Sequence, residues 1–191
     1  MDIQKEDINF DSLESSRIIL IHKHHKYAKA VFEYLSHIEV RKYLAGYTPF
    51  SLSEVKKSLK MSESISSWLI KYKPTGKIIG EIDIYRVVDG YLAELGYIMS
   101  SDYWGQGLMF EAAYMVLDFA FNLMCLTRIR ATIISENIRS INLIEKLGFK
   151  FEAFIKEMNF GGRVADTNFY SLTAKDFSII KLKYKNSLDA G

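Results

Sequence analysis

The apolar residues of this 191-residue chain change their spacing at Gly107, and that change limits the fold more than any other feature. Before it, Trp68–Lys73, Lys77–Tyr85 and Leu92–Met99 are rich in β-branched and aromatic residues, separated by Pro74-Thr75-Gly76 and by Asp89-Gly90. Pro fixes one φ and Gly permits a positive one, so these segments predict an antiparallel hairpin set. After it, Leu108, Ala112, Met115, Phe119 and Leu123 fall on one helical stripe, with Glu111, Tyr114, Asp118 and Asn122 opposite.

The remaining segments extend the same alternation. Arg17–Ile21 reads as a first strand and Tyr27–Leu35 as helix, while Ser51-Leu52-Ser53-Glu54 is a capping box that opens a helix toward Met61, with Pro49 just upstream. Arg128–Ile134 alternates as a strand, Asn137–Leu147 is a helix ended by Gly148, Phe149 returns to strand, and Phe169–Thr173 closes the series. Hairpins followed by strands exchanged with helices predict an α+β fold: a mixed, mostly antiparallel, twisted sheet of about six or seven strands flanked by helices. Residues 1–191 are expected to form a single domain, with a loose tail from about residue 181.

Composition narrows the function classes. Hydrophobic residues make up 49% and charged residues 25%, with 11 Gly and 2 Pro, which excludes collagen, a Pro-rich linker or a disordered chain. Lys plus Arg exceeds Asp plus Glu by 25 to 23, a net +2 too thinly spread to point to nucleic acid as partner. The longest apolar stretch, Tyr114–Leu126, is broken by Asp118 and Asn122 and falls short of the roughly 20 residues a bilayer needs, so no membrane partner is expected. The single cysteine, Cys125, has no internal disulfide partner and reads as a core residue; Met1–Asp7 shows no apolar run behind a basic patch, and the cytoplasm is the expected compartment. His22, His24 and His25 are flanked by lysines with no Cys or carboxylate cluster beside them, so a solvated loop rather than a metal site is expected.

Chemistry concentrates where strand Leu92–Met99 runs through Ser100–Tyr103 into Trp104-Gly105-Gln106-Gly107-Leu108. The first N–H groups of a helix lack intrahelical partners and sit at the positive end of its dipole, and glycines let an anion approach them. Such a start can bind phosphate, although an isolated Gly-x-Gly is more often a plain loop glycine pair. No Lys-Ser/Thr pair follows Gly107, as a Walker loop requires, and Phe110 stands where a dinucleotide fingerprint has its third Gly or Ala.

Glu94-Leu95-Gly96-Tyr97, Tyr103-Trp104-Gly105-Gln106-Gly107-Leu108-Met109-Phe110-Glu111-Ala112, Glu136-Asn137-Ile138-Arg139-Ser140 and Glu145-Lys146-Leu147-Gly148-Phe149 together resemble the GNAT acetyltransferase superfamily, in particular its RimJ/RimL-like ribosomal-protein N-terminal acetyltransferases. The resemblance implies acetyl-CoA as donor and no metal. It places the pyrophosphate on the backbone N–H groups of Gln106, Gly107, Leu108, Met109 and Phe110. The pantetheine arm would lie along the strand carrying Tyr97, Ile98 and Met99, in a V-shaped opening between parallel neighbours, with Asn137 meeting it or positioning the reacting centre. Trp104 and Met109 depart from the usual Arg or Gln and Gly or Ala of this block. Ile144 occupies the position where many members carry a tyrosine acid, and Ser140 stands where the resembled branch has a serine in that role.

Acetyl transfer needs a neutral amine, a polarised thioester and a proton for the departing thiolate. An N-terminal α-amine titrates at about 7.7–8.0 against about 10.4 for lysine, so weak base catalysis suffices. Glu94 is the candidate base, through water; its alternative reading is a strand carboxylate paired with Lys or Arg. Glu81 is the reserve base, read first as an exposed strand residue, and Ser140 is either the acid or a helix-surface hydroxyl. Tyr43 and Tyr47 either line an acceptor pocket or pack in the core.

The function expected is direct acetylation of a primary amine, foremost a protein N-terminus such as that of a ribosomal protein. A small-molecule amine acceptor and a non-catalytic acyl-CoA-binding regulator are the alternatives, and either a monomer or a homodimer fits.

Overall fold

The computed structural model describes residues 13–44, 51–60, 66–160 and 162–189. Among the described residues, seven strands form one sheet in the order β1-β2-β3-β4-β5-β7-β6: β1 (Ile18–His22), β2 (Ser66–Tyr72), β3 (Ile78–Val88), β4 (Leu92–Met99), β5 (Arg128–Ile134), β6 (Lys150–Phe160) and β7 (Arg163–Thr173). Every neighbouring pair is antiparallel except β4 and β5. The helices are α1 (Ala28–Leu35), α2 (Ile38–Arg41), α3 (Leu52–Lys60), α4 (Leu108–Asn122), α5 (Ile138–Lys146) and α6 (Ala174–Asp189). This is the α+β architecture expected, and Tyr47, Pro49 and Met61 lie outside the described residues.

Strand alternation divides the core in two. Ile18, Leu20, Trp68 and Ile70 pack on one face with α4, while Leu69, between Trp68 and Ile70, joins Val31, Tyr34 and Leu35 of α1 and Val55 of α3 on the other. The capping box at Ser51 forms as read: the Ser51 N–H donates to Glu54 Oε2 at 2.9 Å, and the Glu54 N–H donates to Ser51 Oγ at 3.3 Å.

α6 opens with the Asp176 N–H donating to Thr173 Oγ1 at 3.1 Å and the Thr173 hydroxyl donating to Asp176 Oδ2 at 2.8 Å. Two expectations are corrected. The α4 stripe is wider than read: Ala113, Val116, Leu117 and Ala120 are buried as well, and Leu123 is 63% exposed just past the helix end. The physical reason is α6, whose Phe177 ring lies 5.5 Å from Tyr114 and 5.3 Å from Phe121, so α4 is covered by the sheet and by a helix at once. Cys125 is exposed rather than core, in a left-handed turn at φ +55° between α4 and β5.

Candidate active site

The one parallel pair shapes the site. Ladder pairs join β4 and β5 at Leu92 with Arg128, Ala93 with Ile129 and Glu94 with Arg130, and there the pairing stops. β5 continues to pair with β7 as far as Ile134, and β4 with β3 as far as Met99, so the two central strands part beyond Glu94. The opening leads to the N-terminal turn of α5, where the Asn137 N–H donates to the Ile134 carbonyl at 2.9 Å.

At the far end of β4, Gly105 and Gly107 take φ +75° and +76°, the left-handed region that favours glycine. Gly107 caps α4, and the first intrahelical bond runs from the Glu111 N–H to its carbonyl at 3.1 Å. The turn before that bond presents the positive end of the α4 dipole to the cleft. Arg17 braces the turn from outside: Nη1 donates to the Gln106 carbonyl at 3.0 Å and Nε to Glu111 Oε2 at 2.8 Å. Trp104 braces it from inside, Nε1 donating to the Met99 carbonyl at 2.9 Å.

A cleft of about 460 Å³ joins these features. Tyr97, Ile98 and Met99 of β4 form one wall; Gly107, Leu108, Met109 and Phe110 form the floor; Asn137, Ser140, Asn142 and Leu143 of α5 face them; and Glu39, Val40, Tyr43 and Leu44 close it from the α2 side. Eight of the nine residues assigned to the donor thus line one cleft. The ninth, Gln106, is not among the lining residues; its carbonyl accepts from Arg17 Nη1 and its side-chain Nε2 donates to the Asp102 carbonyl at 3.2 Å.

Two cations also line the cleft, and sequence reasoning missed them. The Arg139 guanidinium lies 4.6 Å from the centre of the Trp104 ring, and Lys146 Nζ lies 4.8 Å from that of Phe110. Arg139, Asn142, Leu143 and Lys146 fall at helical spacing i, i+3, i+4 and i+7, a signal of one shared face. Together with the start of α4 they make the cleft attractive to an anionic ligand.

The chemical candidates fare differently. Ser140 lines the cleft, and its Oγ lies 2.6 Å from the Tyr97 phenol oxygen. Asn137 caps α5, its Oδ1 accepting from the Ser140 N–H at 3.2 Å. Glu94 is not among the cleft residues: its side chain is 8% exposed, and Oε1 accepts from Arg130 Nη2 at 3.3 Å, the paired state that was its alternative reading. Glu81 is corrected from exposed to nearly buried, with Oε2 at 2.7 Å from Lys23 Nζ. Ile144 is fully buried in the core. Tyr43 lines the cleft, and His24 spends its Nδ1 accepting the Lys26 N–H at 3.1 Å.

The profile described as the Acetyltransferase (GNAT) domain matches residues 17–150, a span holding the parted strands, the glycine turn and α5. The chain belongs to the GNAT acetyltransferase family. This acetyltransferase is 27% identical over 174 residues to the uncharacterized N-acetyltransferase YoaA of Bacillus subtilis, covering 85% of this chain and 97% of that one. It is 31% identical over 105 residues to the [ribosomal protein uS5]-alanine N-acetyltransferase of Escherichia coli, covering 53% of this chain and 54% of the relative. The structure of a GNAT-family acetyltransferase from Bacillus anthracis superposes with a TM-score of 0.79 at 23% identity, over 86% of this chain and 99% of that one, a likeness of fold. GNAT acetyltransferases use acetyl-CoA as donor.

Proposed function

We propose that this acetyltransferase moves the acetyl group of acetyl-CoA to the α-amine of a protein N-terminus. The observation that carries the donor half is the convergence of the glycine turn at the start of α4, the open edge of β4 and two cations on one cleft. Tyr97, Ile98 and Met99 would receive the pantetheine arm, and Gly107, Leu108, Met109 and Phe110 the pyrophosphate. The acceptor half draws support from the uS5-alanine N-acetyltransferase likeness and from acidity, since an α-amine near pH 8 sheds its proton with little help.

In this reading the amine nitrogen attacks the thioester carbonyl, its proton leaves through water to Glu94, and the carbon–sulfur bond breaks with the Ser140 hydroxyl hydrogen-bonded to the departing thiolate, which takes its proton from water. The products are amide and thiol. Backbone N–H groups on the open edge of β4 would face the developing oxyanion.

The test is acetyl-CoA-dependent release of free thiol over N-terminal peptides, polyamines and aminoglycosides, with an acceptor-free blank. Release with peptides alone is the expected result. Release with small amines alone moves the function to small-molecule acetylation, and binding of acetyl-CoA without release from any acceptor replaces the enzyme reading by a regulator.

A further inference from the structure

We infer that Tyr97 is a positioning residue that acts on the departing thiolate through Ser140, an inference resting on the placement of Ser140 at the sulfur. The two residues stand 43 positions apart in the chain, one on β4 and one in the first turn of α5, and their oxygens meet at 2.6 Å where the central strands have parted. Both partners are held from behind. Asn137 fixes the Ser140 backbone by accepting its N–H, and the Tyr97 ring packs against the main core.

An isolated serine is a weak donor to sulfur because its oxygen gains charge as its hydrogen is drawn away. A phenol O–H directed at that oxygen offsets the charge. Burial pushes the Tyr97 phenol well above its ordinary range, with the Ser140 contact opposing that rise only in part, so Tyr97 keeps its proton while donating. No proton leaves Tyr97: Ser140 Oγ–H bonds to the sulfur, Tyr97 Oη–H bonds to Ser140 Oγ, and the carbon–sulfur bond breaks against this two-hydroxyl chain. Ile144, buried in the core, takes no part in it.

The experiment titrates the thiol of bound CoA by its far-ultraviolet thiolate absorbance, which needs no acceptor, in the wild type, Tyr97→Phe, Ser140→Ala and the double variant. Arg139 and Lys146, the cations lining the same cleft, are common to all four proteins. A hydrogen bond to a charged sulfur commands about one pH unit, so each single substitution is expected to raise the bound thiol by roughly that amount and the double variant by no more. An unshifted Tyr97→Phe beside a shifted Ser140→Ala overturns the inference while leaving Ser140 in place. Additive shifts overturn it as well, because Tyr97 would then act independently. An unshifted Ser140→Ala removes the serine from the sulfur and the inference with it. Site-specific 3-fluorotyrosine at position 97 keeps the shape and strengthens the donor, so it is expected to lower the bound thiol below wild type. No movement there is equally fatal.

Discussion

Glu94 Oε1 and Arg130 Nη2 meet at 3.3 Å across the last ladder pair that joins the two parallel strands, so the ion pair sits at the vertex from which the cleft opens. A carboxylate there holds the two strands together through Arg130, and the proposed function asks it to serve as base as well. Glu94→Gln separates the two. As a base, its loss is expected to lower kcat by about a hundredfold with the acetyl-CoA KM unchanged, and the deficit should narrow above about pH 8, where an α-amine is neutral without help. A lowered melting temperature with unchanged kcat would assign Glu94 to strand pairing alone.

Gly107 faces the opposite end of the cleft. Its φ of +76° costs a residue with a Cβ about 1–2 kcal/mol, while the nearest atom to that Cβ, Arg17 Nη2, is an ordinary 3.6 Å away. The strain is therefore backbone strain, and it is relieved by turning the N–H groups that follow. Gly107→Ala is expected to weaken acetyl-CoA binding roughly tenfold by titration calorimetry, the equivalent of that strain, with only a small change in melting temperature.

How much of this was legible in the sequence depends on distance along the chain. The Ser51–Glu54 box and the β4-to-α4 turn are local devices, and both formed where the residues placed them. The Thr173–Asp176 pair that starts α6 is just as local, but the polar, lysine-rich stretch after it masked a helix whose apolar contacts fall on α4. Without α6 the α4 stripe reads too narrow, since the spacing alone puts Tyr114 opposite it. The parting of β4 from β5 and the meeting of Tyr97 with Ser140 are tertiary facts with no local spacing to announce them. The same holds for Glu81, whose burial depends on Lys23 from the end of β1.

Gly148 shows how one residue ties α5 to α6. It ends α5 at φ +89°, and a Cβ there would collide with Cδ1 of Ile180. Gly148→Ala combines left-handed strain with overpacking and is expected to destabilise the protein by at least about 2 kcal/mol. Chemical denaturation checks this, and Ile180→Ala in the same chain should recover the overpacking but not the strain. Full recovery would show that the backbone at position 148 tolerates a side chain.

The cluster of Lys23, Glu81 and Asp83 ties stability to pH. Lys23 Nζ lies 2.7 Å from Glu81 Oε2 and 2.9 Å from Asp83 Oδ1, with Lys23 only 11% exposed, and Ser67 Oγ donates to Asp83 Oδ1 at 2.5 Å. Burial alone would lower the Lys23 amine, but Glu81 and Asp83 outweigh it and hold it above its ordinary 10.5. Its stabilisation is thus complete below about pH 10.5 and is lost as pH rises through the higher folded value. Asp83 is raised above its ordinary range by burial, with Lys23 opposing and Glu81 adding to the rise. That shift favours the fold only while Asp83 is protonated, and the benefit is lost as pH rises through the carboxylate range, which leaves Lys23 to hold two buried charges at neutral pH. Lys23→Met strands both, at a cost of about 3–5 kcal/mol. At 2–4 °C per kcal/mol for a chain of this size, the melting temperature at neutral pH should fall by about 10 °C. Asp83, whose carboxyl is raised, takes up a proton as pH falls, so the gap to wild type should narrow in that direction. Melting curves across the carboxylate range decide the matter: a gap of constant size would mean that the loss is one of packing, not of charge.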